Sequence, residues 1–494
     1  MDKSTRQQIS IDKWRDAKGK GTLNLIMRFG KTKIAHDIIQ GTIEKDITRK
    51  ILCIAPNVIT YKNLVDNISY LNTHYSENAN ITIYTINQVI NILKDPLERN
   101  SICDIDLLVL DEVHRMLNGE SYDAIKSLNY KWILALTGSK LNREQIQNLN
   151  ELKAPIVDSI DEITAIQNNW IANSVEYNLS IELDEHDKVR YAKYSEQISE
   201  TLDIFKNIYH RINQMFKTKI FDSDFSLIMS CFTGVYYKNG TYKQFIKPTI
   251  LRNMVADIMG WSRDMELTSP EAQRINKYWN PDNIFQRAKT FKEYVKQRND
   301  ILICNRPKIN SVIEIISRNS VPTICFNESI SMVDSLAEYF ATKQGIAYHS
   351  AITSRYVINP ETGTPYSYKD GRPKLLGQTS LKKLAIEGMK TGVYKYLFTA
   401  QSLNEGLTIE NIEQVITTGG SCNSATHNQR VARGKTYDYL NPNKKCIVIN
   451  LYIEDFILND KEVKSRDKQK LIQRQKESEI IPIWVKNIDE IFVY

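Results

Sequence analysis

The stretches LIMRFGKT (residues 25–32) and DEVH (residues 111–114) decide how this chain is read. Gly30-Lys31-Thr32 makes a turn whose backbone N–H groups and lysine ammonium suit phosphate oxygens, with the Thr32 hydroxyl placed for Mg2+. Asp111-Glu112 closes the apolar run IDLLVL, where Asp111 offers a second metal contact and Glu112 a carboxylate to orient a water. Either half alone is a weak signal. In this order, each behind a hydrophobic strand, they describe a nucleoside-triphosphate site, with Phe29 and Gly30 in the loop around the phosphates.

Around the two motifs, short apolar runs alternate with helical stretches over residues 22–158. LNLIM, ILCIAP, ITIYTI, IDLLVLDE and WILALTG read as strands, and KIAHDIIQGTIE as the helix after the turn. This alternation predicts a doubly wound parallel sheet. Ligands of such sheets bind at the carboxyl ends of the strands, where both motifs fall. The loop departs from G-x-x-x-x-G-K-[ST] because Leu25 stands where the first glycine belongs, removing a residue free to take positive φ. A Gly-Lys-Thr turn formed by chance is the competing explanation; the Asp-Glu pair further along weighs against it.

At 494 residues the chain is long enough for two to four domains. Charged residues at 25% and hydrophobic residues at 42% fit a globular protein, neither disordered nor fibrous. A net charge of +7 is compatible with a polyanionic partner without requiring one. The seven cysteines (Cys53, Cys103, Cys231, Cys304, Cys325, Cys422, Cys446) contain no Cys-x-x-Cys. ILICNR and TICFNE read as buried strands, so the thiols are expected to be reduced core residues of a cytosolic protein, without zinc. MDKSTRQQIS lacks the apolar segment of a secretory signal, and no apolar run reaches the length of a membrane span.

On these motifs the chain resembles the superfamily 2 helicases and translocases, in particular the DExH branch with its restriction-type and phage helicases. The resemblance covers most of residues 1–160 and 300–455. It implies an α/β protein of two RecA-like parallel-sheet domains in tandem. It also implies ATP and Mg2+ as cofactors, nucleic acid as partner with DNA favoured over RNA, no membrane, and a cytoplasmic location (the host's, if the protein is viral). Gln7, upstream of Ile11 and Trp14, matches the adenine-contacting glutamine; an ordinary exposed polar residue would look the same. Pro56 in IAPN and Thr85 in YTINQ match motifs that contact the nucleic-acid backbone. Thr137-Gly138-Ser139 matches the motif that couples hydrolysis to nucleic-acid grip, or is a polar turn after a strand.

A second α/β pattern begins near residue 306, with KINSVIEIISR as helix and VPTICFNES as strand. The resemblance assigns Asn327 there, and Thr399 in FTAQSLNEGLTI, to nucleic acid, and Gly406 to the neighbourhood of the nucleotide. Thr408 stands where the family has aspartate. QRVARGKT resembles Q-R-x-G-R-x-x-R. Gln429, Arg430 and Arg433 match it, Gln429 and Arg433 in catalysis and Arg430 at the nucleotide. Ala432 replaces the glycine, and Thr436 replaces the last arginine, the usual finger on the transferring phosphate. Arg433 or Lys435 then covers for that finger, or turnover is slow. A solvated helix face is the other explanation for this cluster.

Residues 159–305 lack the alternation. They read as a mostly helical insertion between motor domains at 1–158 and 306–455, with a helical tail at 456–494. Within the insertion, GVYYKNGTYKQFIKP interleaves Tyr236, Tyr237, Tyr242 and Phe245 with Lys238, Lys243 and Lys247. It is either a base-stacking surface or a hairpin turning at Asn239-Gly240 with its aromatics packed inward. KEVKSRDKQKLIQRQKE reads as a charged, solvated helix. The leading expectation is an ATP-dependent DNA helicase or translocase. The alternatives are an RNA helicase, a helicase-fold binding protein with weak turnover, and an unrelated phosphate-loop enzyme such as a nucleotide kinase. The last would not need a second domain ending in QRVARG.

Overall fold

The computed structural model describes residues 1–58, 60–61, 64–66, 80–239, 242–259, 281–400, 409, 411–419, 424–437, 444–476 and 480–492. Its first sheet contains β1 (Lys20–Leu25), β2 (Ile51–Ala55), β3 (Ile81–Thr85), β4 (Ile105–Leu110), β5 (Tyr130–Thr137) and β6 (Ile156–Ile160). Their spatial order is β3-β2-β4-β5-β1-β6, and every pair is parallel. Side chains of a strand alternate between faces, and here both faces are apolar. Ile51, Cys53, Ala55, Leu107 and Val109 enter one core, while Leu52, Ile54, Leu108 and Leu110 enter the other. That is why these strands read as continuous hydrophobic runs. The helix Lys3–Asp16 lies on the first core through Ile11 and Trp14, whose indole donates to the Ile133 carbonyl at 2.9 Å.

The next strand, β7 (Asn173–Ile181), belongs to the other sheet. It lies in the stretch expected to be mostly helical; its six buried residues need a sheet on both sides. After it comes a unit made of residues 182–307 and 453–465. There, helices Glu185–Ile204, Ile208–Phe216, Asp224–Thr233, Pro248–Ile258 and Pro281–Ile303 surround Ile198, Phe205, Phe221, Leu251 and Phe291. Its hairpin, β8 (Val235–Asn239) with β9 (Tyr242–Ile246), pairs Tyr236 with Phe245. Tyr237 packs edge-on to Phe216 at 5.3 Å, whereas Tyr236 and Phe245 meet at 4.6 Å on an exposed face. Gly240, at the expected turn, lies outside the described residues. ILICNR, expected to be a strand, is the end of the helix Pro281–Ile303, and Cys304 is exposed. A short apolar run carries no period of its own, so its length-23 helical context decides it.

The second sheet adds β10 (Thr323–Asn327), β11 (Gly345–His349), β12 (Tyr396–Ala400), β13 (Gln414–Thr417) and β14 (Lys445–Ile453). A small hairpin of β15 (Phe456–Leu458) and β16 (Lys461–Val463) precedes β17 (Ile483–Val485). The order is β11-β12-β10-β13-β14-β7-β17. The chain therefore has two parallel-strand sheets in tandem with a mostly helical insertion. Both sheets lie in the unit formed by residues 1–181, 308–452 and 466–494. No described helix is long and apolar enough to cross a membrane.

The charged tail segment is a helix, Arg466–Gln475, but not simply a solvated one. Asp467, Leu471 and Arg474, spaced as one helix face, are buried. Asp467 pairs at 2.6 Å with Lys308, whose ammonium also donates to the Thr418 carbonyl at 2.7 Å. Both partners are almost without solvent, so loss of one removes the opposite charge that the other faces at 2.6 Å. Asp467→Ala should cost about 3–5 kcal/mol, read from the denaturant midpoint, and Asp467→Leu with Lys308→Met should recover most of it. A single substitution costing less than about 1 kcal/mol would show that the pair is hydrated.

Candidate nucleotide site

The phosphate loop leaves β1 at Leu25, whose side chain is fully buried in the first core. The position usually held by the first glycine is thus spent on packing, and the backbone reverses later. Arg28 has φ +68° and Gly30 φ +105°. Glycine is needed at position 30 for a second reason as well: a Cβ there would stand 2.3 Å from Gln7 Nε2. Phe29 is wholly buried, edge-on to Trp170 at 5.4 Å. The helix Lys31–Ile43 follows immediately, so its free N–H groups face the loop.

The N-terminal helix grips the loop through its carbonyls. Gln7 Nε2 donates to Phe29 O at 2.7 Å, and Lys3 Nζ donates to Arg28 O at 2.7 Å and Trp170 O at 3.0 Å. Burial, then the nearby Arg28 charge, lowers the Lys3 ammonium to about 8. The helix is itself fixed by Asp158 of β6, which accepts from Arg6 (2.7 and 2.9 Å), Ser10 (2.8 Å) and Lys13 (2.6 Å). The sequence signal was present but unread: Arg6, Ser10 and Lys13 share one helix face. Gln7 is buried, not exposed.

Asp111 and Glu112 lie at the carboxyl end of β4. Glu112 takes the left-handed conformation (φ +47°), and its N–H donates to Asp111 Oδ1 at 3.0 Å. Lys31 Nζ stands 3.1 Å from Glu112 Oε1. A Cβ on Gly138 would come within 2.5 Å of that ammonium, so glycine makes room for it. Burial, and then the Glu112 charge, pushes the Asp111 carboxyl up. Burial opposes Glu112 ionisation too, but Lys31, His114 and Arg115 outweigh it and hold that carboxyl below its usual range. Thr32 is half-buried in the first turn of the helix.

His114 ties this corner to the end of β5. Its Nδ1 is 3.1 Å from Thr137 Oγ1 and 3.5 Å from Glu112 Oε2, and its Nε2 is 3.3 Å from Ser139 Oγ. The Thr137-Gly138-Ser139 segment is therefore more than a polar turn. Arg115 donates to Gln429 Oε1 at 3.1 Å, and Arg28 Nε to Ala432 O at 3.1 Å. These bonds bring the segment QRVARGKT against the first sheet. Ala172 N donates to Lys435 O at 3.0 Å, and the Lys435 ammonium is paired with Glu162. Arg430 lies over the Phe326 ring at 5.6 Å, and Arg433 is buried. The helix Ser424–Val431 is held from below by His427, 3.0 Å from Glu176 Oε1 of β7, which also accepts from Asn450 at 2.7 Å.

The assigned nucleic-acid residues lie elsewhere, at other strand ends. Pro56 follows β2 and is half-buried. Thr85 is buried as the N-cap of the helix Ile86–Lys94, its hydroxyl donating to Gln88 at 2.9 Å. Asn327 ends β10, enclosed and bonded to Thr418 and Met332. Thr399 is fully buried in β12, and its hydroxyl makes no hydrogen bond among the described residues. Gly406 and Thr408 lie outside the described residues.

Residues 3–140 match the family model described as the type III restriction enzyme res subunit. That span runs from the N-terminal helix through both nucleotide motifs to Lys140. The chain resembles the superfamily 2 helicases. Among solved structures, the Hef helicase domain of Pyrococcus furiosus is similar at 16% identity and a TM-score of 0.46, covering 94% of this chain and 97% of that one. Compared with the curated proteins, the chain matches none.

Two enclosed histidines, His114 and His427, should make this core acid-sensitive. Burial lowers both His114 and His427 to about 4, against an unfolded value near 6.5. Between those values the unfolded chain binds more protons, so stability falls as pH drops from about 6.5 to about 4. Glu176 sits at about 2, because His427 and Arg474 outweigh its burial, so its contribution is lost from about 4.5 downward. Unfolding midpoints measured across that range should fall continuously. A histidine titration by NMR placing both rings near 6.5 would contradict the buried network.

Proposed function

We propose that the chain is an ATP-dependent helicase or translocase acting on nucleic acid, with DNA favoured over RNA. One connected line of contacts supports this: Lys31 to Glu112, Glu112 to His114, His114 to Thr137 and Ser139, and Arg115 across to Gln429. A simple phosphate-binding enzyme has no use for the last link. A motor needs it, because nucleotide chemistry on one sheet must alter contacts on the other. The DNA preference rests on the resemblance to restriction-type helicases. The two motor domains are taken as residues 1–158 and 306–455, the second sheet also including β7 and β17.

In this scheme the N–H groups at Gly30 and Lys31, with the Lys31 ammonium, bind the phosphates. Gln7 and Phe29 shape the loop on the adenine side, and Gly406 and Arg430 complete the nucleotide site from the second sheet. Glu112 Oε2 is buried without a hydrogen bond, and burial disfavours the Asp111 charge. This corner is short of positive charge and suits a dication, which Thr32 and Asp111 would hold. When bound, Mg2+ supplies charge neutralisation on the phosphates. Glu112, released from Lys31, accepts the proton of the attacking water. Thr436 carries no charge and Lys435 is committed to Glu162, so Arg433 takes the place of the missing finger, with Gln429 beside it. Pro56, Thr85, Asn327 and Thr399 mark the strand ends along which nucleic acid runs; the last three are enclosed, so contact there is made by the adjoining backbone.

Two substitutions test the scheme. Lys31→Ala should abolish ATP hydrolysis, because its ammonium brings the positive charge to the phosphates. Glu112→Gln should retain ATP binding and lose turnover, since the amide keeps the shape but takes no proton. Wild-type turnover in Lys31→Ala, or loss of ATP binding in Glu112→Gln, would sink these assignments.

A further inference from the structure

β11 leaves the second sheet at His349, and the helix behind it does not start until Gln378. Residues 350–377 between them form an ordered arm. Arg355 and Leu376 exchange both backbone bonds, at 3.1 and 3.0 Å. Further out, Tyr366 N donates to Val357 O at 2.9 Å, Lys374 N to Tyr366 O at 2.7 Å, and Tyr368 N to Arg372 O at 2.9 Å. The tip turns at Asp370-Gly371, where Gly371 has φ +84°, a conformation few other residues accept. The base is held by the buried Tyr394, whose hydroxyl donates to Ile358 O at 3.4 Å.

The tip is built to be seen by something. Residues 367–375 are all exposed, including Tyr368 at 50% and Leu375 at 51%. The one acid there, Asp370, is paired with Arg372 at 2.7 Å. That leaves Lys369 and Lys374 without an acidic partner among the described residues, and Lys374 Nζ stands 5.7 Å from the Tyr368 ring. An aromatic face flanked by uncompensated ammonium groups fits bases joined by phosphates. The register pairs both His349 and Asn327 with Ala400, so the arm leaves the sheet level with Asn327, but its middle is anchored at the other end of that strand pair, where Ile358 and Tyr366 meet Tyr394, two residues before β12. The side chains of its tip reach solvent.

We infer that residues 366–375 are a contact for single-stranded nucleic acid, Tyr368 stacking on a base and Lys369 and Lys374 lying on the flanking phosphates. The assignment rests on the nucleic-acid function proposed above. It is tested with the full chain by fluorescence anisotropy, using labelled oligo-dT and oligo-rU of equal length over a salt series. Tyr368→Ala should weaken binding of at least one oligomer by roughly tenfold, while Tyr368→Phe, which keeps the ring, should not. Lys369→Ala with Lys374→Ala should flatten the log–log salt slope by about 1.4, the share of two phosphates on a single strand. All three positions are exposed, so unfolding midpoints should stay put. If the wild-type chain binds and these variants match it in affinity and slope, the arm is not the contact and the helicase function stands. If Tyr368→Phe falls as far as Tyr368→Ala, stacking is overturned. If the wild-type chain binds neither oligomer at low salt, both proposals fall.

Discussion

The ion pair between Lys31 and Glu112, at 3.1 Å, is the contact on which the rest of the nucleotide corner depends. It joins the two motifs of the nucleotide site, 81 residues apart in the chain, and it helps hold the Glu112 carboxyl below its usual range against the effect of burial. An ammonium held by a carboxylate is also an ammonium in reserve. In the proposed scheme, phosphates at the helix N-terminus compete for Lys31 and leave Glu112 as a base, so the pair sets the order of events as nucleotide binds.

Around that pair, polar contacts are spent on holding the site rather than on solvent. Asp158 gathers Arg6, Ser10 and Lys13 and so fixes the helix that carries Gln7. Glu176 does the matching job in the second sheet, receiving His427 and Asn450 beneath the arginine-bearing helix. Each carboxylate is buried and paired, the condition under which buried charge specifies a structure instead of only destabilising it. Arg115 with Gln429, Arg28 with Ala432 and Lys435 with Glu162 then connect the two halves.

Much of this was legible from the chain. The apolar runs of residues 22–137 gave five of the six strands of the first sheet, because their apolar residues follow one another closely along the chain. IVDSI of β6 was missed: Asp158 and Ser159 interrupt its apolar run. β7 was missed for a different reason, since its partners are more than 200 residues further along the chain and local composition says nothing of them. Gly30, Lys31, Asp111 and Glu112 could be read in sequence because their chemistry fixes residue type. The supports could not. Asp158, Glu162 and Glu176 are single carboxylates whose meaning lies in what folds against them. The arm at 350–377 escaped notice because its tip looks like any polar loop until its backbone bonds are seen.

In the proposed scheme, hydrolysis at Lys31 and Glu112 is coupled to nucleic acid through the second sheet. The most direct measurement is the steady-state ATP hydrolysis rate of the intact chain, with and without saturating single-stranded DNA, and in parallel with RNA. The account predicts a low rate alone that rises and saturates as one of the two strands is added. A rate that is the same with and without both would contradict the coupling, even if the site itself hydrolyses ATP.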